Sequence, residues 1–329
     1  LAHLASLKVE FDLAISGNSE MIDVKIAKEI ADKLGMEIQI SNENIKEINK
    51  NTLRELFISS DGVYGVFSRY RLHNKNIMLE KSGSELEFGG AAGEFYKNGF
   101  INQDFPFYNI GKVNKNKFYK LKINPSNWGK EYLTDNIIEQ KEQMKNKIIK
   151  TIFDNKDDRK SNLYFKAGHK IMRHRIITIS NSSNLSIPSI SPFTEVDMMK
   201  LTYKKNPWKL EINKWQRNEV SKFFPKIASI KTDRGLTLQN NFLKVLREFF
   251  TSYLFLLKIA LKRTLLSKKE KNINKRLDIY IVGRKMKQFE EAMDKCKELN
   301  VINQDCDIER IPDILADRLM TIGLVFLYS

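Results

Sequence analysis

A strand–helix–strand pattern near the start of the chain constrains its fold more than any other feature. Val9–Ile15 is an apolar run typical of a strand, and a helix is predicted from its N-cap, Asp23, to about Leu34. Gly35 ends that helix, and Met36–Ile40 is the next strand. A crossover of this length predicts a parallel pair of strands with a right-handed connection.

Later segments extend the pattern into a doubly wound, mainly parallel α/β sheet. Predicted helices over Asn44–Phe57 and Phe67–Leu79 lead to a short strand, Glu85–Phe88. From about Asn124 onward helical patterns dominate, which predicts a mainly helical second part. We therefore divide the chain into an α/β part, residues 1–123, and a mainly helical part, residues 124–329. The helices predicted for the second part are Asp135–Ile152, Tyr164–Ile179, Met198–Tyr203, Lys214–Phe224 and Leu238–Leu266.

A loop of small residues follows the strand Glu85–Phe88. It contains Gly89, Gly90 and Gly93, and Glu94 closes it. Glycine lets backbone N–H groups approach a ligand, and successive exposed N–H groups form a concavity that suits anions. One carboxylate at its rim suits a Mg²⁺ ion that also carries phosphates. The alternative is a tight turn against a neighbouring strand with a solvated Glu94, and spacing alone favours it because a lone glycine cluster is a weak signal.

A second turn, Ile15-Ser16-Gly17, lies at the end of the first predicted strand. In doubly wound sheets, ligands bind in the crevice beyond the carboxyl ends of the strands. We therefore expect this turn and Gly89-Gly90 to border one crevice.

The glycine loop resembles the strand-loop of asparagine synthetase-type ATP pyrophosphatases, which reads approximately S-G-E-G-S-D-E. Gly89-Gly90 fall on the S-G pair, and Ala92-Gly93-Glu94 fall on G-S-D. The resemblance implies an adenine nucleotide alpha hydrolase-like fold, nucleotide contacts from the glycines and from Ile15-Ser16-Gly17, and a Mg²⁺ ligand at Glu94. The family's first glutamate, a candidate general base, falls on Ala91, so that role is absent here or supplied elsewhere.

The resemblance continues in the second part of the chain. Pro188–Glu195 is similar to the family's E-x-R-x-P-F-x-D, although Pro188 and Ile190 replace its glutamate and arginine. Lys214 then falls on the first lysine of K-x-x-L-R, which reaches the pyrophosphate in the family, and Arg217 lies three residues later on the same helical face. An ammonium there would stabilise charge that develops on departing phosphate oxygens. The alternative for both side chains is a solvated helix face.

Two features of the family have no counterpart in this sequence. They are the S-G-G-x-D-S loop that wraps the pyrophosphate at a helix N-terminus and the N-terminal glutaminase domain. The residues before Val9 correspond to the helix that follows that loop. This predicts either a fragment of a longer protein or a degenerate relative, and in both cases a chain that releases no pyrophosphate by itself.

Composition leaves the partner open. The net charge of +16 is consistent with nucleotides, nucleic acid or an anionic membrane surface, and equally with a solvated lysine-rich surface. No basic motif interleaved with aromatic residues indicates RNA binding. Two cysteines and no visible signal peptide or spanning apolar run predict a reduced, cytoplasmic protein. The apolar segment from Phe242 to Leu266 is expected to be buried against another helix, and Leu277–Val282 is predicted to be a strand.

The predicted function is that of an ATP-dependent ligase. The resemblance implies that a small-molecule or peptide carboxylate attacks the α-phosphate of ATP, and that an amine then attacks the acyl-adenylate. ATP and Mg²⁺ are the implied cofactors, with Lys214 and Glu94 as the catalytic candidates. The rival hypothesis is a non-catalytic homologue that binds a partner protein, and a nucleic-acid-binding module is the third.

Overall fold

The computed structural model describes most of the chain, and every structural statement below concerns these residues. Of residues 94, 95, 202–204, 278 and 328 it describes the backbone only. The described residues are 10–41, 48–60, 62, 64–91, 93–96, 110–124, 128–154, 160–171, 187–204, 214–233, 235–243, 246–247, 250–251, 253–254 and 278–328.

The predicted strand–helix–strand unit is confirmed. Strand β1 (Leu13–Ser16) pairs in parallel with β2 (Ile38–Ser41), and helix α1 (Ile22–Leu34) connects them. Val24 and Ala31 bury the inner face of α1. Gly35 ends the helix in the left-handed conformation (φ 66°), where glycine has no Cβ to strain the backbone.

The N-cap prediction for α1 is wrong by two residues. Met21 occupies the cap position with extended backbone angles, and no side chain accepts a capping hydrogen bond there. Asp23 lies instead in the first turn, where a carboxylate interacts favourably with the helix dipole.

A second parallel pair joins distant parts of the chain. Strand β3 (Glu87–Phe88) pairs with β4 (Ser189–Ile190), so the N-terminal part and the later part of the chain share a sheet. Among the described residues β1–β2 and β3–β4 form two separate two-stranded sheets. The described chain is therefore mainly helical with small parallel sheets, and its strands do not join into one continuous doubly wound sheet.

Helices make up most of the remaining described chain. The 3₁₀ turn Phe67–Arg69 leads directly into one of them, and a π-helical turn, Tyr119–Ile123, follows another. The prediction for Asp135–Ile152 is confirmed at both ends. The helices are α2 (Lys50–Ser60), α3 (Tyr70–Lys81), α4 (Lys115–Phe118), α5 (Asp135–Ile152), α6 (160–171), α7 (Val196–Lys204), α8 (Lys214–Phe223), α9 (Pro225–Ala228), α10 (Asp278–Arg284), α11 (Lys287–Glu298) and α12 (Asp313–Tyr328).

Two apolar clusters form the core, and both draw on the two predicted parts of the chain. In the first cluster, α2 and the 3₁₀ turn pack against α11 and α12 through Leu53, Phe67, Met293 and Leu319. The second cluster contains four buried aromatic residues, Tyr96, Phe118, Phe153 and Tyr164. The rings of Phe118 and Tyr164 stack with centroids 5.3 Å apart.

One expectation for the later part of the chain is wrong, and a second falls mainly outside the described residues. The segment predicted as the strand Leu277–Val282 is helical where it is described, because α10 directs Ile279 into the first cluster and brings Gly283 against the ring of Phe67. The expected burial of Phe242–Leu266 is not seen at the start of the segment, where Phe242 and Leu243 are 78% and 71% exposed, and residues 255–266 lie outside the described residues.

Candidate functional site

The turn after β1 is shaped by close packing at Gly17. Its N–H donates to the Ser41 carbonyl (3.0 Å), which extends the β1–β2 pairing by one residue. Its φ is +147°, and a Cβ there would lie 3.0 Å from atoms of both Met21 and Val24. Glycine is therefore required by the fold here, and its N–H is engaged within the protein. Gly17 is buried, whereas Ile15 and Ser16, at the end of β1, are half-buried.

The glycine loop after β3 also engages two of its N–H groups within the protein. The N–H of Gly89 donates to the Ile190 carbonyl (2.8 Å), and that of Gly93 donates to the Gly90 carbonyl (3.1 Å). Gly90 differs, because it is exposed and a Cβ there would meet no atom within 4 Å. The expected concavity of several ligand-facing N–H groups is therefore not formed at Gly89 and Gly93. Open space for a ligand lies at Gly90.

Three motif segments that are far apart in sequence meet at Tyr96. The short 3₁₀ helix Gly93–Tyr96 carries Tyr96, whose ring lies 5.0 Å from that of Phe193 and stacks on Trp215 at 5.4 Å, with planes 29° apart. The Tyr96 hydroxyl donates to the Phe193 carbonyl (3.3 Å). The Ser191 hydroxyl donates to the Ala91 carbonyl (2.5 Å). The glycine loop, the Pro-Phe segment and the start of α8 thus form one packed unit.

This packing brings Glu94 and Lys214 onto neighbouring segments. Glu94 lies two residues before Tyr96, and Lys214 directly precedes Trp215 as the first residue of α8. The Lys214 side chain is exposed. For Glu94 the described part is the backbone, so the distance from its carboxylate to any ligand group is outside the described structure.

Arg217 has a structural position rather than a solvated one. It is 1% exposed, and its guanidinium donates to the Thr237 carbonyl. Burial lowers the pKa of Arg217. The alternative of a solvated helix face is therefore wrong for Arg217, whereas Lys214, one turn earlier, does face solvent.

Helix α3 links the surroundings of the two turns, a relationship that sequence reasoning missed. Arg71 places a guanidinium nitrogen 4.0 Å from the Met21 sulfur, just beyond Gly17. Lys75, one turn later, forms an ion pair with Glu87 in β3, two residues before Gly89. Four residues span about 6 Å along a helix axis. The sequence signal for this relationship was the i, i+4 spacing of Arg71 and Lys75, which places both side chains on one face of the helix.

The described residues contain no group of three or more His, Cys, Asp or Glu side chains that could hold a metal ion. A nucleotide-bound Mg²⁺ does not require such a group, because it takes one or two carboxylates together with phosphate oxygens and water. Gly90 and Lys214 are both exposed, and Glu94 lies on the same packed unit, on the 3₁₀ helix that carries Tyr96.

Comparison with known proteins gives no relative. No protein-family model matches the chain, and neither curated proteins nor solved structures give a significant match. The likeness to asparagine synthetase-type enzymes therefore stays a prediction from the quoted motifs. Within the part of the chain that is described, no helix has the length and apolarity needed to cross a membrane.

Proposed function

We propose that this chain is an asparagine synthetase-like ATP-dependent ligase in a degenerate form, with Ala91 in place of the family's candidate general base. The observation that carries the proposal is the convergence on Tyr96. Three segments that resemble separate family motifs pack against one another through Tyr96, Phe193 and Trp215. Packing of this kind is expected if the motifs serve one site, and the likeness alone does not require it.

The proposed reaction has two steps. A carboxylate oxygen of a small molecule or peptide attacks the α-phosphorus of ATP, and pyrophosphate leaves. An amine then attacks the acyl carbon, the amide forms and AMP leaves. Mg²⁺, when bound, neutralises charge on the phosphates.

The chain's own residues would bind and orient the nucleotide. Glu94 would hold the metal, and the ammonium of Lys214 would stabilise charge on the departing pyrophosphate. Gly90 would let the backbone approach the nucleotide, since nothing covers it. Gly17, Gly89 and Gly93 would let the backbone lie close to the nucleotide. They would not donate hydrogen bonds to it, because their N–H groups donate to carbonyls within the protein.

A second candidate is a non-catalytic homologue that binds a partner protein. It is favoured by Ala91, which cannot transfer a proton and whose carbonyl accepts a structural hydrogen bond from Ser191. It is favoured also by the engaged N–H groups of the glycine loop. Under this hypothesis the packed unit survives as a scaffold without nucleotide affinity.

Titration with Mg-ATP distinguishes the two candidates. We expect saturable binding to the native chain, weakened about tenfold by Lys214→Met, a loss of about 1.4 kcal/mol. Lys222→Met is the matched control, because Lys222 is exposed on the same helix and its ammonium lies over the Phe223 ring. Isothermal titration calorimetry gives both affinities. No binding to the native chain, or equal losses in the two variants, would contradict the ligase proposal.

A further inference from the structure

A cavity of about 320 Å³ lies away from the packed unit, between the π-helical turn Tyr119–Ile123, helix α5 and helix α12. Pockets that bind small molecules begin at roughly this size. π-Helical turns are rare and frequently occur at functional sites. The cavity opens where the two apolar clusters meet, because Ile123 packs on the second cluster and Trp128 on the first.

The cavity is mainly apolar. Helices α5 and α12 each line one side of the cavity. The apolar lining residues are Ile137 from α5, and Leu315, Leu319 and Ile322 from one face of α12. The indole of Trp128 covers another side. Such a surface favours the hydrocarbon part of a ligand.

Two positively charged side chains, Lys141 and Arg318, also line the cavity. The Lys141 ammonium donates to the Trp128 carbonyl (2.9 Å), and the Arg318 guanidinium carbon lies 5.4 Å from the Trp128 ring centroid. Neither side chain forms an ion pair with a described residue, and no described carboxylate lines the cavity. Burial lowers the pKa of Lys141, and the neighbouring Glu142 carboxylate, which is not part of the cavity lining, partly opposes this shift. The charge of the cavity is therefore complementary to an anion.

We propose that this cavity binds a small amphipathic carboxylate, with its hydrocarbon part against Trp128 and Leu319 and its carboxylate between Lys141 and Arg318. A water molecule takes roughly 30 Å³ in the liquid, so the cavity has the volume of about ten water molecules, enough for a small organic ligand. Octanoate has this size and chemistry. The proposal is independent of the ligase proposal, because it uses no residue of the nucleotide site.

Three probes with the same chain test the charge preference. The full chain is titrated by calorimetry with octanoate, octan-1-ol and octylammonium, each below its aggregation concentration. We expect octanoate to bind at least about tenfold more tightly than the alcohol, because a charge-assisted hydrogen bond adds to the same apolar contact. Octylammonium is expected to bind most weakly. Equal affinity for octanoate and octylammonium, or no saturable octanoate binding, would overturn the proposal.

Variants locate the binding in this cavity. Arg318 is exposed, so Arg318→Met is expected to leave the fold intact, to weaken octanoate about tenfold and to leave octan-1-ol unchanged. Arg310→Met is the matched control, because Arg310 is exposed and lies outside the cavity lining. Ile322→Trp fills the cavity from its edge and is expected to remove binding of both ligands. Octanoate affinity that persists in Ile322→Trp, or that is the same in Arg318→Met and Arg310→Met, would show the proposal wrong.

Discussion

The ring of Tyr96 stacks on the ring of Trp215, with centroids 5.4 Å apart, although 119 residues separate them in the sequence. Tyr96 is fully buried and belongs to the second apolar cluster. This contact fixes the loop that carries Glu94 against the helix that begins at Lys214. An aromatic contact therefore holds the two segments of the proposed nucleotide site together.

Removing the Tyr96 ring should cost much more stability than removing its hydroxyl. We expect Tyr96→Ala to lower the free energy of unfolding by roughly 4 kcal/mol, since a large buried ring leaves a cavity. Tyr96→Phe should cost about 1 kcal/mol, the usual value of one hydrogen bond, here to the Phe193 carbonyl. Urea denaturation followed by circular dichroism measures both. Similar losses in the two variants would show that the ring contacts are not formed.

Gly90→Ala separates ligand binding from folding. An added Cβ at Gly90 meets no atom within 4 Å, so we expect a change in unfolding free energy below about 0.5 kcal/mol. If a nucleotide approaches the backbone here, Mg-ATP affinity should fall about tenfold. Gly129→Ala is the control, because Gly129 has the same open surroundings outside the loop. An unchanged Mg-ATP affinity in Gly90→Ala would remove Gly90 from the site.

Helices α11 and α12 approach so closely at Gly323 that no side chain fits there. A Cβ at this position would lie 2.6 Å from the Cα and carbonyl oxygen of Ala292, and neither backbone atom can rotate away. We expect Gly323→Ala to destabilise the protein by about 2–3 kcal/mol through overpacking. Gly129→Ala, which meets nothing, should be nearly neutral by the same thermal melt. Equal melting temperatures would mean that the two helices do not pack at this distance.

Asp317 should make stability depend on pH. Burial raises its pKa to about 6 from the ordinary 3.8, although the N–H groups of Phe67 and Ser68 donate to its carboxylate at 2.7 and 3.1 Å. The folded state then binds this proton more tightly than the unfolded state. The stability due to this group is therefore full below pH about 4 and is lost as the pH rises through about 6.

The size of this effect follows from the two pKa values. The unfolding free energy should fall by up to roughly 3 kcal/mol between pH 4 and 7 relative to an Asp317→Asn variant, which cannot titrate. Asp305→Asn is the control, because Asp305 is exposed and should retain the native pH dependence. Denaturation series at several pH values test this. A native slope that persists in Asp317→Asn would assign the effect to another group.

The sequence predicted local elements better than their partners. Periodicity located α5 at both ends and the β1–α1–β2 unit within a few residues, because each is specified by its own side chains. Strand β4 was not predicted, because a two-residue strand beside prolines is too short to show the alternation of apolar and polar residues that indicates a strand. Its pairing with β3 depends on a contact between segments about a hundred residues apart.

For the candidate site, as for the fold, the sequence predicted local features and not tertiary contacts. The small residues of the loop and the position of Lys214 could be read from spacing and likeness. The sequence could not show which N–H groups are left to bind a ligand. That depends on tertiary hydrogen bonds, such as the one from the Gly17 N–H to the Ser41 carbonyl. Burial of Arg217 was also hidden, because a basic residue on a polar helix normally faces solvent.

In the proposed nucleotide site, Glu94 holds the Mg²⁺ ion that is bound to the triphosphate. The most direct test is the Mg²⁺ dependence of ATP affinity in Glu94→Ala and in Glu85→Ala, where Glu85 is an exposed glutamate just before β3. We predict that Glu94→Ala weakens ATP binding about tenfold with Mg²⁺ and changes it little with excess chelator, whereas Glu85→Ala behaves as the native chain in both. An ATP affinity that is the same in Glu94→Ala and the native chain with Mg²⁺ present would contradict the account.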